Sequence, residues 1–181
     1  MRIFTLVLIA SVIFACGNPQ QVETETAVED IDVSKELKSQ HMSDKKVTGI
    51  GGIFFKSNNP EKMREWYKNN LGLVTNEYGS LFEFRNTDNP DEKGYLQWSP
   101  FGKKTTYFEP SKKEFMINYR VANIEKLVEN LRTDGVEFLD SIETYDYGKF
   151  VHIMDLEGNK IELWEPVDSE FTRMYEGQTT H

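Results

Sequence analysis

A histidine and a glutamate near the end of the chain fall where a hairpin would bring them face to face. Asp155-Leu156-Glu157-Gly158-Asn159 suits a three-residue turn with Gly158 in the left-handed region. With Asp155 paired to Asn159, Met154 falls opposite Lys160, Ile153 opposite Ile161, His152 opposite Glu162, Val151 opposite Leu163 and Phe150 opposite Trp164. Side chains alternate faces along a strand. One face is then Val151, Ile153, Ile161 and Leu163, apolar throughout. The other is Phe150, His152, Met154, Lys160, Glu162 and Trp164, the mixture expected of a pocket wall. An imidazole titrates near neutral pH, and a carboxylate beside it raises its pKa and orients the ring, so the pair is equipped for general acid–base work. The same residues also fit plainer roles. His152 can be a strand histidine that only hydrogen-bonds Glu162, or a metal ligand. Glu162 can simply pair with Lys160, Lys56 or Arg120.

The elements that would position this pair read as a repeat over residues 46–168. Each half opens with a strand, Ile50 to Ser57 and Phe115 to Val121. A helix follows, started by Asn59 with Pro60 at the first helical position, or by Asn123. Asn59-x-Glu61-Lys62-Met63 and Asn123-x-Glu125-Lys126-Leu127 repeat at an offset of 64. Met63, Trp66, Tyr67 and Leu71 form one helical stripe; Ile124, Leu127, Val128 and Leu131 form the other. Gly72 and Gly135 suit the left-handed helix ends. Three strands are expected after each helix: Leu73–Tyr78, Leu81–Arg85 and Tyr95–Trp98, then Val136–Glu143, Phe150–Asp155 and Lys160–Glu165. The fold class is α+β, two βαβββ modules forming a curved, cup-like mixed sheet with helices on the outer face.

Strand parity assigns the rest of the cup. Gly52, Phe54 and Lys56, with Met116, Asn118 and Arg120, are expected to face it; Ile53, Phe55, Ile117, Tyr119 and Val121 are expected to face the core. Aligning Pro100 with Pro166 gives Trp98 the role of Trp164 and Leu96 that of Glu162. Phe54, Trp98, Phe150 and Trp164 are candidate ligand platforms, although tryptophans also serve as packing. Asn118, Lys56 and Arg120 are candidate polar contacts, the two cations for an anionic group. Gly51-Gly52 implies a bulge or close backbone approach. Tyr145-x-Tyr147-Gly148 is a lid or a strand end.

The chain has 181 residues, 38% hydrophobic and 13% aromatic, enough for one domain with a core. Its formal charge of −9 argues against nucleic acid, whose binders need a basic face. The single Cys excludes an intrachain disulfide and a CxxC metal cluster. Arg2 precedes an apolar run from Ile3 to Phe14, about a dozen residues where a bilayer-spanning helix needs roughly 20. Residues 1–15 read as a signal peptide. Residues 16–45 hold seven acids against three lysines and no aromatic residue, as in a flexible acidic tether. Residues 169–181 read as a polar tail in which Phe171, Met174 and Tyr175 are able to pack on the domain.

Two resemblances follow. Ile13-Phe14-Ala15-Cys16 resembles the bacterial lipobox, which implies lipidation of Cys16, a bilayer partner and an extracytoplasmic place in the cell envelope. Gly51-Gly52-Ile53-Phe54-Phe55-Lys56, Asn59-Pro60-Glu61 through Leu71-Gly72, Met116 to Val121, Gly148-Lys149-Phe150 and Asp155 to Pro166 resemble the vicinal oxygen chelate superfamily, the glyoxalase, bleomycin-resistance and extradiol dioxygenase relatives. The resemblance implies a small-molecule ligand, a homodimer as one arrangement, and lyase, isomerase or dioxygenase activities or metal-free sequestration. It also implies metal ligands at positions occupied here by Gly52, Leu96, Met116 and Glu162. Only Glu162 offers a donor suited to a divalent cation, with His152 as the available second, whereas a catalytic site wants about three. The cofactor is therefore left unknown, a divalent metal being the doubtful option. The expectation is an aromatic-lined cup for a small organic molecule, with His152 and Glu162 as the acid–base pair if it is an enzyme. A binding protein without turnover, and an interaction module with a filled cup, are the rivals.

Overall fold

A computed structural model describes residues 47–87 and 89–181. The signal peptide, Cys16 and the acidic tether lie outside the described residues. The element order is β1 (Val47–Ser57), α1 (Pro60–Leu71), β2 (Ser80–Arg85), β3 (Lys93–Gly102), β4 (Phe115–Val121), α2 (Ile124–Thr133), β5 (Glu137–Phe138), β6 (Glu143–Tyr145), β7 (Gly148–Met154), β8 (Lys160–Pro166) and α3 (Asp168–Tyr175). One sheet of eight strands runs β2-β3-β1-β4-β8-β7-β5, with β6 pairing β7. The two openings, β1 and β4, lie antiparallel at its centre. Each runs parallel to the last strand of its own half, β1 to β3 and β4 to β8. This is the paired-module α+β architecture expected from the repeat.

Local chemistry sets the helix ends. Asn59 Oδ1 accepts from the Lys62 N–H at 2.9 Å, and Pro60 occupies the first turn. Gly72, at φ 73°, closes α1 by donating to Lys68 O. Asn123 caps α2 through Lys126 N. The main core joins α2 to one face of the second half: Ile124, Leu127 and Val128 pack on Val121, Val151, Ile153 and Leu163. The first helix is less well covered. No residue of α1 is buried, and Trp66 and Leu71 of its stripe are exposed. It meets the sheet through Tyr67, whose ring lies 4.5 Å from that of Trp98.

Three segments depart from the expected strands. Leu73–Tyr78 contributes only an isolated bridge between Thr75 and Ser80. Val136–Glu143 is split into β5 and β6 by a bend. There Leu139 N donates to His152 O at 2.9 Å, and Asp140 accepts from the His152 N–H at 2.8 Å. The polar tail contains a helix, α3, which packs against β3: Phe171 stacks on Tyr95, and Thr172 Oγ1 lies 2.7 Å from Tyr95 Oη. Beyond it Thr180 pairs with Phe82 at the edge of the sheet, accepting from Glu83 N and donating to Leu81 O.

Candidate functional site

The β7–β8 hairpin has the register its turn demands. Gly158 sits at φ 74°, Asp155 N donates to Asn159 O, and His152 faces Glu162, with Phe150 on Trp164 and Val151 on Leu163. The alternation then sends Val151, Ile153 and Leu163 into the α2 core and Phe150, His152, Glu162 and Trp164 into a cup of about 520 Å³ on the other sheet face. The filled-cup reading is thereby corrected: the side chains around this hollow leave it open.

His152 and Glu162 belong to a longer array. The imidazole Nδ1 lies 2.6 Å from Asp140 Oδ2, and Nε2 lies 2.9 Å from Glu162 Oε2. The same Oε2 accepts from the Tyr107 phenol. Glu162 Oε1 accepts from Asn118 Nδ2 at 2.6 Å. His152 and Glu162 are both buried, whereas Asp140 is partly exposed. Two nitrogen–oxygen contacts between one imidazole and two carboxyl groups need two protons. Burial opposes the charged ring, but hydrogen bonds and charge from Glu162, then the hydrogen bond from Asp140, outweigh it, so the His152 pKa stands above its ordinary value. A ring carrying both protons satisfies both contacts, and the raised pKa favours that form. Burial, followed by the charge and hydrogen bond of Glu162, pushes the Tyr107 phenol far above its ordinary range, so it remains a donor. Behind it Lys160 Nζ donates to Tyr107 O at 2.8 Å; burial holds that ammonium below its usual pKa, against the pull of Asp140 and Glu162.

The glycine pair builds the central wall. The β1–β4 register shifts between Ile50 and Gly52, which places a bulge at Gly51. A Cβ on Gly51 would lie 2.1 Å from Asn118 Oδ1 and 2.7 Å from Trp164 Cε3. Only a bare backbone lets these two side chains close over the strand. Over Gly52 lies the ring of Phe54, whose Cζ would be 2.5 Å from an added Cβ.

Of the ligand-contact candidates, Phe54, Asn118, Phe150 and Trp164 line the cup. Trp98, Lys56 and Arg120 do not, and each has a physical reason. In the β1–β3 ladder Phe54 pairs with Ser99 and Ile53 with Trp98. Ladder partners share a face, so Trp98 points to α1, packed on Phe55 and Tyr67, and Gln97 and Ser99 take the cup positions. Aligning the prolines displaced this strand; the ladder makes Ser99, beside Phe54, the counterpart of Glu162, beside Asn118. Lys56 lies over the Phe108 ring at 5.6 Å. Arg120 makes a two-pronged pair with Asp168, donates to Tyr95 O at 3.2 Å, and sits between Phe84 and Trp164. It is a brace for α3 and is not free for an anion.

No motif or periodicity marks Tyr107 or Asp140, which come from irregular segments. Tyr145 and Tyr147, the expected lid or strand end, line the cup with Glu143. So do Phe171, Met174 and Tyr175, whose three- and four-residue spacing is a helical signal inside a polar stretch.

The metal set implied by the resemblance does not fit these residues. Gly52 has no side chain and Phe54 covers it; Leu96 is a hydrocarbon; Met116 is fully buried with Phe54 and Phe108. Ser99, the true ladder counterpart of Glu162, donates to Tyr78 O and accepts from Gln97. Both Glu162 oxygens already accept protein donors. Among the described residues no group of three or more His, Cys, Asp or Glu is arranged to hold a metal ion.

No protein-family model and no curated protein matches the chain. Among solved structures, a methylmalonyl-CoA epimerase from Mycobacterium tuberculosis is 19% identical over 74% of this chain and 99% of its own, with a TM-score of 0.46. A Streptomyces coelicolor methylmalonyl-CoA epimerase variant in complex with 2-nitronate-propionyl-CoA is 16% identical over 67% and 99%, at 0.48. A glyoxalase/bleomycin resistance protein/dioxygenase superfamily member from Vibrio splendidus 12B01 is 11% identical over 64% and 97%, at 0.39. The fold assignment rests on the strand order and pairing of this chain, two related α+β modules sharing one eight-stranded sheet around a cup.

Proposed function

We propose that this protein binds a small organic molecule in the cup and moves a proton on it, in isomerase- or lyase-type chemistry that draws on side chains alone. The observation that carries the reading is the array Asp140–His152–Glu162–Tyr107, which runs from a partly exposed carboxylate to a phenol on the cup wall. Glu162 Oε2 is the exchange point, since it meets both the imidazole N–H and the phenol O–H. A proton passing from His152 Nε2 to Oε2 can move on to Tyr107 Oη as the phenol gives up its own to the ligand. The reverse flow removes a proton from the ligand. Asp140 holds the ring orientation and stabilises its charge.

A second reading, a binding protein without turnover, is favoured by one fact: both ring nitrogens of His152 and both oxygens of Glu162 already have protein partners. The array then serves as a strut beneath a ligand cup. A thermal-shift screen of metabolites and xenobiotics supplies ligands, which are then incubated with the protein in deuterated water. Deuterium entering the ligand, lost by roughly a hundredfold in Glu162→Gln while binding persists, supports proton transfer. A ligand that fills the cup and neither exchanges nor converts overturns it in favour of plain binding.

We further propose that Cys16 is lipidated and tethers the domain to the cell envelope, as the lipobox resemblance implies.

A further inference from the structure

We infer that the ligand is an organic cation, an alkylammonium or quaternary ammonium group carried on an apolar body; this rests on the cup being the ligand site. Three observations converge. The first is charge. Among the described residues, the charged side chains lining the cup are Glu143, His152 and Glu162. The positive charge of His152 is held between two carboxylates, Asp140 and Glu162, and the remaining negative charge of that array also attracts the Lys160 ammonium behind Tyr107. Glu143 is the uncompensated charge at the cup: it accepts from Tyr145 Oη at 2.8 Å and has no cationic partner among the described residues. Arg120, the cation beside the Trp164 ring, is neutralised by Asp168 and so offers no free charge to the cup.

The second is the wall. Tyr145, Tyr147, Phe150, Trp164, Phe171 and Tyr175 form one run of touching rings, with Tyr145 stacked on Tyr147 at 5.3 Å and Phe150 on Trp164 at 5.8 Å. Ring faces attract cations, and tryptophan and tyrosine do so best. The third is the state of the phenols. Carboxylate charge contributes to holding the hydroxyls of Tyr107, Tyr145 and Tyr147 above their ordinary pKa, after burial in the case of Tyr107 and Tyr147, and after the hydrogen bond to Glu143 in the case of Tyr145. The field that resists a phenolate also resists an anionic ligand. A neutral ligand gains only the apolar contact.

The test uses three probes of similar shape on the full chain: benzyltrimethylammonium, its uncharged isostere neopentylbenzene, and phenylacetate. Each is titrated against the Trp164 indole N–H in proton–nitrogen spectra, assigned with Trp164→Phe. The cation is expected to bind about tenfold tighter than neopentylbenzene, and phenylacetate most weakly. Glu143→Gln, a change at the cup rim, is expected to lower the cation's affinity by about threefold and leave that of neopentylbenzene unchanged. Tight binding of phenylacetate or neopentylbenzene at Trp164 overturns the cation proposal and leaves the cup intact as a ligand site. An unaltered cation preference in Glu143→Gln overturns it as well. If no probe shifts Trp164, the cup reading falls along with it.

Discussion

His152 and Glu162 meet across the β7–β8 ladder, Nε2 to Oε2 at 2.9 Å, and both are buried. The glutamate is thus at once a cross-strand partner and the point where the imidazole reaches Tyr107. Fold and site chemistry depend on the same carboxylate.

The pH response follows from that pairing. The folded-state pKa of His152 is raised, so its contribution to stability is complete below the unfolded value near 6.5 and is lost as pH rises through the higher folded value. Melting temperature is expected to fall across that window above about 6.5, and His152→Gln is expected to flatten the dependence. Thermal unfolding as a function of pH checks this; a native profile that rises there contradicts it. His152→Ala, which leaves Glu162 and Asp140 without their shared donor, is expected to cost about 3 kcal/mol in denaturant titration.

Gly51 carries a packing prediction. Gly51→Ala drives a methyl against Asn118 Oδ1 and Trp164 Cε3, and overpacking of this sort costs about 1–3 kcal/mol. Gly102→Ala, where an added Cβ meets nothing within 4 Å, is expected to be close to neutral. Equal losses from the two in chemical denaturation would remove the close-approach account of the glycine pair.

Tyr107→Phe removes the donor that links Glu162 to the cup wall. The variant is expected to stay folded, losing about 1 kcal/mol, and to lose ligand deuterium exchange with Glu162→Gln. Exchange at the native rate in Tyr107→Phe would show that the proton reaches the ligand by another atom.

Arg120→Met removes the brace between the sheet and α3. Amide hydrogens in residues 168–175 are expected to exchange about tenfold faster, while those of α2 stay protected. Uniform acceleration across both helices would mean that Arg120 supports the whole domain instead.

Replacement of Cys16 by Ser is expected to move the protein from the membrane fraction to the soluble fraction on bacterial expression. Retention in the membrane fraction would remove the lipidation proposal.

The sequence was readable wherever a turn or cap fixed the geometry. Gly158 and Asp155 set the last hairpin, so the faces of His152, Glu162, Phe150 and Trp164 follow by alternation alone. Asn59, Gly72 and Asn123 did the same for the helices. The face of Trp98 does not follow from the sequence, because no turn ties β3 to β8; their correspondence is set by ladders to β1 and β4, which are tertiary facts. Tyr107 and Asp140 lie in irregular segments, where no periodicity says which way a side chain points. The first module's helix stripe was legible as a pattern but not as burial, since Trp66 and Leu71 remain exposed.

The end of the chain has a structural duty of its own. Helix α3 is clamped to the second module through Arg120, while Thr180 is stitched to β2 in the first. The final residues therefore act as a buckle that fastens the outer strand of one module to the central strand of the other. Trimming them, or hanging a bulky fusion on them, would loosen the first module's outer strand and slacken the cup's aromatic rim together.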